Sequence, residues 1–297
     1  MRGVRLFFRF CAALLCVVAL GSAYAHDALV AGQPGSFVFT PEGYFEGKPL
    51  TVHYYKAMRA GPDAKVLIAI HGAERNAKYA RDNWLGFAEQ HGLVVLAPEF
   101  DQARFSTRLF NMANLEDGDR GHWSFQLVEG LFESVRVSEH LNAQTYMLFG
   151  HSAGAQFVHR FMELTDKPKV SIAVAANAGS YTLPVYPGPW DDGFPYALNE
   201  KVVTPDQLRQ VFARKLVVLL GEEDTHTDAA NLPAARQAKA QGANRWERGH
   251  TFFERATAQA RKLDTPFAWQ LRTVPGVGHN SRSMSKAAAA LLLSESH

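Results

Sequence analysis

An α/β fold, with a mostly parallel central sheet flanked by helices, is predicted by two features of the sequence. Short apolar runs recur without polar interruption, as strands buried on both faces require. Segments of helical periodicity alternate with them, the pattern of a doubly wound sheet.

The runs are Lys65–Ile70 (KVLIAI), Leu93–Ala97 (LVVLA), Thr145–Phe149 (TYMLF), Val170–Ala175 (VSIAVA) and Lys215–Leu220 (KLVVLL), with a last strand expected over Phe267–Val274. Before them, Ser36–Thr40 and Leu50–Ala57 alternate apolar and polar residues and predict an antiparallel hairpin at the sheet edge. Helices are expected over Ala77–His91, Phe125–Leu141, Ala153–Leu164 and Ser283–Leu293, and one or two within Leu232–Leu263. In Phe125–Leu141, Leu127, Leu131, Val135 and Val137 lie near helical spacing. Two stretches exceed simple connections: the polar Phe100–Ser124, and the Pro- and aromatic-rich Gly179–Asn199. Both are expected to act as lids or binding loops. No repeat or linker interrupts the pattern, so residues 26–297 are expected to form one domain.

The first residues read as an export signal. Arg2, Arg5 and Arg9 precede the uncharged apolar run Phe10–Leu20, and Ala23-Tyr24-Ala25 offers a small-x-small cleavage site. That run is too short to span a bilayer, which takes ~20 apolar residues. Residues 1–25 are therefore expected to be removed on export. The remaining chain is expected in the periplasm or outside the cell, without membrane attachment.

Cleavage changes the charge balance. The full sequence holds 31 Lys and Arg against 29 Asp and Glu; losing three Arg leaves 28 against 29, a net of −1. No general attraction to nucleic acid follows from such a balance. Both cysteines, Cys11 and Cys16, lie in the signal, so disulfides, thiolate catalysis and zinc–cysteine sites are excluded from the exported chain. The spacing Asp224-x-His226-x-Asp228 has no accompanying ligand cluster, and neither metal nor other cofactor is expected.

The chemistry is concentrated in a few residues. Gly150-His151-Ser152-Ala153-Gly154 satisfies G-x-S-x-G between an expected strand and an expected helix. A serine on so sharp a turn exposes its hydroxyl, and flanking glycines let strand and helix approach. A hydroxyl needs a base to become a nucleophile. His279 is the candidate, because Gly276-Val277-Gly278-His279 follows the last strand on a glycine loop, whereas His250 and His297 follow none. The orienting acid should come after Lys215–Leu220, where Glu222, Glu223 and Asp224 compete. Two backbone N–H groups should stabilise the oxyanion. One belongs to Ala153; the other belongs to Ala73, or to Glu74, in the turn His71-Gly72-Ala73-Glu74.

The H-G turn, the G-H-S-A-G elbow, the G-E-E-D segment and the G-V-G-H-N loop together resemble the α/β-hydrolase superfamily, from about Leu50 to the C-terminus. The layout, with no large cap domain, is most similar to the secreted esterase and polyhydroxybutyrate-depolymerase-like branch, to which poly(aspartic acid) hydrolases are related. The resemblance implies an α/β-hydrolase fold, favours Asp224 among the three carboxylates, and implies a serine hydrolase. Ester or polyester cleavage is the first expectation. The alternative is amide cleavage in an anionic polymer, and a third class is a binding protein that kept the fold without activity.

Loops at the C-terminal ends of parallel strands form the ligand crevice of such sheets. They carry Arg75, Arg81, Arg104, Arg108 and Arg120 with Tyr79, Trp84 and Trp123. Arg75, Arg104, Arg108, Trp123 and Tyr181 are the expected substrate contacts. Asp82, Asp101, Glu116, Asp117 and Asp119 share those segments and compete for the same arginines.

Overall fold

The computed structural model describes residues 27–186 and 193–294; the expected signal, Trp190 and His297 lie outside them. Among the described residues, eight strands form one sheet: β1 (Pro34–Phe39), β2 (Leu50–Lys56), β3 (Val66–Ile70), β4 (Val94–Glu99), β5 (Tyr146–His151), β6 (Val170–Ala176), β7 (Leu216–Gly221) and β8 (Gln270–Val274). Their order is β1-β2-β4-β3-β5-β6-β7-β8. The β1–β2 and β2–β4 pairs are antiparallel and every other pair is parallel, so the alternating segments do form the hairpin at the edge.

The unbroken apolar runs follow from burial on both faces. In β3, Val66, Ile68 and Ile70 face one core, while Leu67 and Ala69 face the other. The first core is completed by α3 (Phe125–Ser138), α4 (Ala153–Leu164) and α7 (Arg245–Lys262), through residues such as Leu131, Phe157 and Phe252. The second is closed by α8 (Ser281–Ser294), which contributes Met284, Ala288 and Leu292. No helix among the described residues is long and apolar enough to cross a membrane.

The structure departs from expectation in three places. The helix expected over Ala77–His91 is two, α1 (Ala77–Asp82) and α2 (Leu85–His91). Trp84 breaks it by turning into the core, where its ring meets Phe149 edge-on at 4.9 Å between centroids. A helix the periodicity did not reveal, α5 (Pro205–Phe212), is set by a capping box in which Thr204 and Gln207 satisfy each other's backbone N–H groups. A short turn of helix, α6 (Arg236–Lys239), precedes α7. Thirdly, residues 100–124 are no open lid: Phe100, Phe105 and Phe110 are fully buried and pack with Phe157 beneath the sheet end.

Candidate active site

The turn between β5 and α4 holds Ser152 at φ +58° and ψ −117°, in the left-handed half of the map that non-glycine residues avoid. The surroundings impose it. A Cβ on Gly150 would lie 2.3 Å from the Gly154 carbonyl oxygen, and one on Gly154 would lie 2.3 Å from that of Ile70. Only residues without a Cβ let helix and strand meet so closely. The Ser152 N–H donates to the Ala176 carbonyl at 2.9 Å, which ties the turn to the neighbouring strand.

Ser152 Oγ lies 3.0 Å from His279 Nε2, and His279 Nδ1 lies 2.6 Å from Asp224 Oδ2. A carboxylate only accepts, so Nδ1 carries the imidazole proton and Nε2 is free to accept from the serine hydroxyl. Of the three competing carboxylates, only Asp224 reaches the imidazole. It is 1% exposed, whereas Glu222 turns outward to accept from the Thr273 hydroxyl and Glu223 is exposed. His250 packs instead on Trp246, at 4.4 Å between ring centroids.

Asn177, which sequence reasoning passed over, aligns these pieces. Its side chain accepts from the Gly221 N–H at 2.8 Å, at the end of β7, and donates to the Gly278 carbonyl at 3.2 Å, beside His279. Its φ is +52°, a conformation that asparagine tolerates better than most residues. An Asn directly after an apolar strand run was the available signal. The Glu223 N–H donates to Val277 at 2.9 Å and fastens the acid loop to the histidine loop.

Two further histidines support the turns without charge. His71 donates from Nδ1 to the Gly72 carbonyl at 2.9 Å and accepts at Nε2 from the Phe100 N–H at 3.0 Å; burial pulls its pKa down to about 4. His151 lies 4.5 Å from the His279 ring, and burial, with His279 and Arg245 nearby, holds it well below the usual histidine range.

Ala153 is the first residue of α4, so its N–H has no acceptor within the helix and is available for an anion. Gly72 lies against the elbow, where a Cβ would be 3.7 Å from Ser152 Cβ. The adjoining Ala73 and Glu74 line a cleft of about 190 Å³ with Tyr79, Asn231, Asn280 and, at its floor, Ser152 and His279.

The expected substrate contacts do not line this cleft. Arg75 turns inward, donating to the Phe100 and Phe105 carbonyls over the Phe110 ring, because those carbonyls have no strand to pair with. Arg104 pairs with Asp101 at 2.6 Å and Arg108 with Glu116 at 3.7 Å. Arg81 is paired with Asp82 and Arg120 with Asp166. Trp123 is buried, its indole N–H donating to the Asp117 carbonyl. Tyr181 is wholly buried and stacks on Phe252 at 4.4 Å, a core contact driven by its apolar ring. Of Tyr79, Trp84 and Trp123, it is Tyr79, on α1, that lines the cleft.

Solved structures resemble the chain over most of its length. A poly(aspartic acid) hydrolase-1 from Sphingomonas sp. KT-1 is 36% identical with a TM-score of 0.83, over 89% of this chain and 99% of that one. The poly(3-hydroxybutyrate) depolymerase LpqC from Bordetella parapertussis is 30% identical with a TM-score of 0.81, over 89% and 90%. An S-formylglutathione hydrolase from Staphylococcus aureus, 16% identical with a TM-score of 0.54 over 91% and 99%, shares the fold. No family model and no curated protein matches the sequence.

Proposed function

The chain belongs to the esterase and depolymerase branch of the α/β hydrolases, and on that premise we propose that it is an exported serine hydrolase in which Ser152 is the nucleophile, His279 the base and Asp224 the orienting acid. The observation that carries this is the unbroken hydrogen-bonded chain from Ser152 through His279 to Asp224 at the floor of an open cleft. The Ser152 hydroxyl attacks the substrate carbonyl carbon as its proton passes to His279 Nε2. The carbonyl oxygen becomes an oxyanion, held by the N–H of Ala153 and that of Ala73. The leaving group departs with the proton from Nε2, giving an acyl-enzyme. Water, deprotonated by the same nitrogen, then attacks the acyl carbon and returns the serine hydroxyl with the free acid.

Ester and polyester bonds are the proposed substrates, in line with the depolymerase relative. Export rests on the basic, apolar and small-residue pattern of residues 1–25. A second reading, amide cleavage in an anionic polymer, is favoured by a groove of about 730 Å³ next to the cleft, lined by Lys78 and Arg282, both exposed. Arg282 lies over Tyr79 at 5.6 Å, so the groove adjoins the cleft wall. The test is fluorophosphonate labelling followed by turnover of short esters, polyhydroxybutyrate, peptides and polyaspartate. Labelling of the wild type but not of Ser152→Ala supports the nucleophile; labelling of both overturns it. The substrate panel separates ester from amide.

A further inference from the structure

The two oxygens of Asp224 live in different surroundings. Oδ2 accepts from His279, while the buried Oδ1 accepts no hydrogen bond. Facing Oδ1 is Arg245 Nη1 at 3.6 Å, an ion pair too long to be a hydrogen bond. Both side chains are 1% exposed. A carboxylate removed from water with one oxygen unmatched is costly unless a charge of opposite sign stands by it.

Arg245 is held for that task from two sides. Its Nη2 donates to Asn231 Oδ1 at 2.6 Å, and it opens α7, an 18-residue helix. The next residue, Trp246, donates its backbone N–H to the Asp224 carbonyl at 3.3 Å. Thus the positive end of a long helix and its first side chain both dock on the acid. The other titratable groups facing the pair are His279, the neutral His151, and Tyr181, whose phenol burial pushes above its usual value. Arg248, one turn along α7, points away and donates to the Gly179 and Pro233 carbonyls.

We propose that Arg245 is a positioning residue: a buried cation whose charge holds the Asp224 carboxylate seated against His279. The proposal rests on the serine-hydrolase reading of this site.

The test is the pH profile of kcat/KM. Arg245→Met and Arg245→Gln should lower kcat about 10- to 100-fold, as misplacement of a catalytic group does, with little change in KM. Their acidic limb should move up by about one unit, since a neighbouring charge is removed. Arg245→Lys should restore the wild-type limb and most of kcat. In an Asp224→Asn background, Arg245→Met should add about twofold or less, because it acts through the acid. Asn231→Ala, at an exposed position, releases the guanidinium without opening the core; its limb should also rise, by less, and this reads the same quantity should the Arg245 variants not fold. An unmoved limb in the folded variants overturns the proposal, whatever their Tm. So does full multiplication of the two losses. If Ser152→Ala still labels, the parent reading fails; if it does not and the limb stays in place, this inference alone fails.

Discussion

Gly154 approaches Ile70 so closely that a Cβ on the glycine would lie 2.3 Å from the Ile70 carbonyl oxygen. That contact presses the start of α4 onto the end of β3 and holds Ser152 in its strained conformation. Gly154→Ala should therefore force the two elements apart, at about 1–3 kcal/mol, the usual cost of overpacking. Thermal unfolding should show a Tm lower by several degrees, at about 2–4 °C per kcal/mol for a domain of this size. Turnover should fall further than stability, since Ser152 loses its alignment. A Tm and turnover equal to wild type would show that the glycine is not required.

The proposed acid, Asp224, is separated from its neighbours by direction rather than distance along the chain. Glu222 and Glu223 are next to Asp224 in sequence but point to solvent. Asp224→Asn should lower kcat roughly 10⁴-fold by favouring the wrong imidazole tautomer. Glu222→Gln and Glu223→Gln should each stay within about threefold of wild type, as exposed carboxylates outside the hydrogen-bonded chain. His279→Gln should abolish the reaction and His250→Gln should not. Steady-state kinetics on a single ester substrate checks all five variants, and a damaging Glu223→Gln would reassign the acid.

Much of this arrangement was legible because local pattern and tertiary role coincided. In β3, β5 and β7 every residue is buried, so the apolar runs announced the strands, and the elbow glycines announced the turn. The rest was hidden where one residue serves two demands. The segment after β4 reads as polar, yet Phe100, Phe105 and Phe110 carry it inward, and Arg75 turns in with them to satisfy the Phe100 and Phe105 carbonyls. Arg81, Arg104 and Arg108 are neutralised by acids of their own segments, as the local charge pattern allowed, whereas the partner of Arg120 is Asp166, 46 residues away and beyond any local pattern. Asn177 showed only as an Asn after an apolar run, because its role is to join the end of β7 to the loop that carries His279.

Buried neutral histidines make stability depend on pH. His71 has a folded-state pKa of about 4, below the ordinary 6.5, so between these values the unfolded chain binds the extra proton. Stability from this group is fully present above about pH 6.5 and is lost as pH falls towards 4. The full loss is about 3 kcal/mol. His151 and His159 are displaced in the same direction by burial and add to the slope. Urea unfolding of wild type at about pH 7.5, 5.5 and 4.5 should show falling stability. His71→Gln, which cannot titrate, should be less stable at neutral pH and flatter with pH. Parallel curves for the two proteins would remove His71 from this account.

The last prediction concerns substrate charge. The five loop arginines first expected at the rim are ion-paired or turned inward, which leaves Lys78 and Arg282 as the cations that line the groove beside the cleft. Arg81 also reaches that groove, but Asp82 offsets it at 2.6 Å. If an anionic polymer lies along the groove with its scissile carbonyl at Ser152, its carboxylates meet exposed cations. That attraction is screened within about 10 Å at 0.1 M salt. Raising salt should then increase KM for polyaspartate and leave a neutral short-chain ester unaffected. Lys78→Gln and Arg282→Gln should each raise KM for the anionic substrate by about two- to fivefold, the worth of an exposed ion pair, with kcat little changed. Arg104→Gln and Arg108→Gln should do neither, because those side chains already have carboxylate partners. Equal salt sensitivity for both substrates, or a response to Arg108 rather than Lys78, would remove the groove from substrate binding and leave the ester reading of the cleft standing alone.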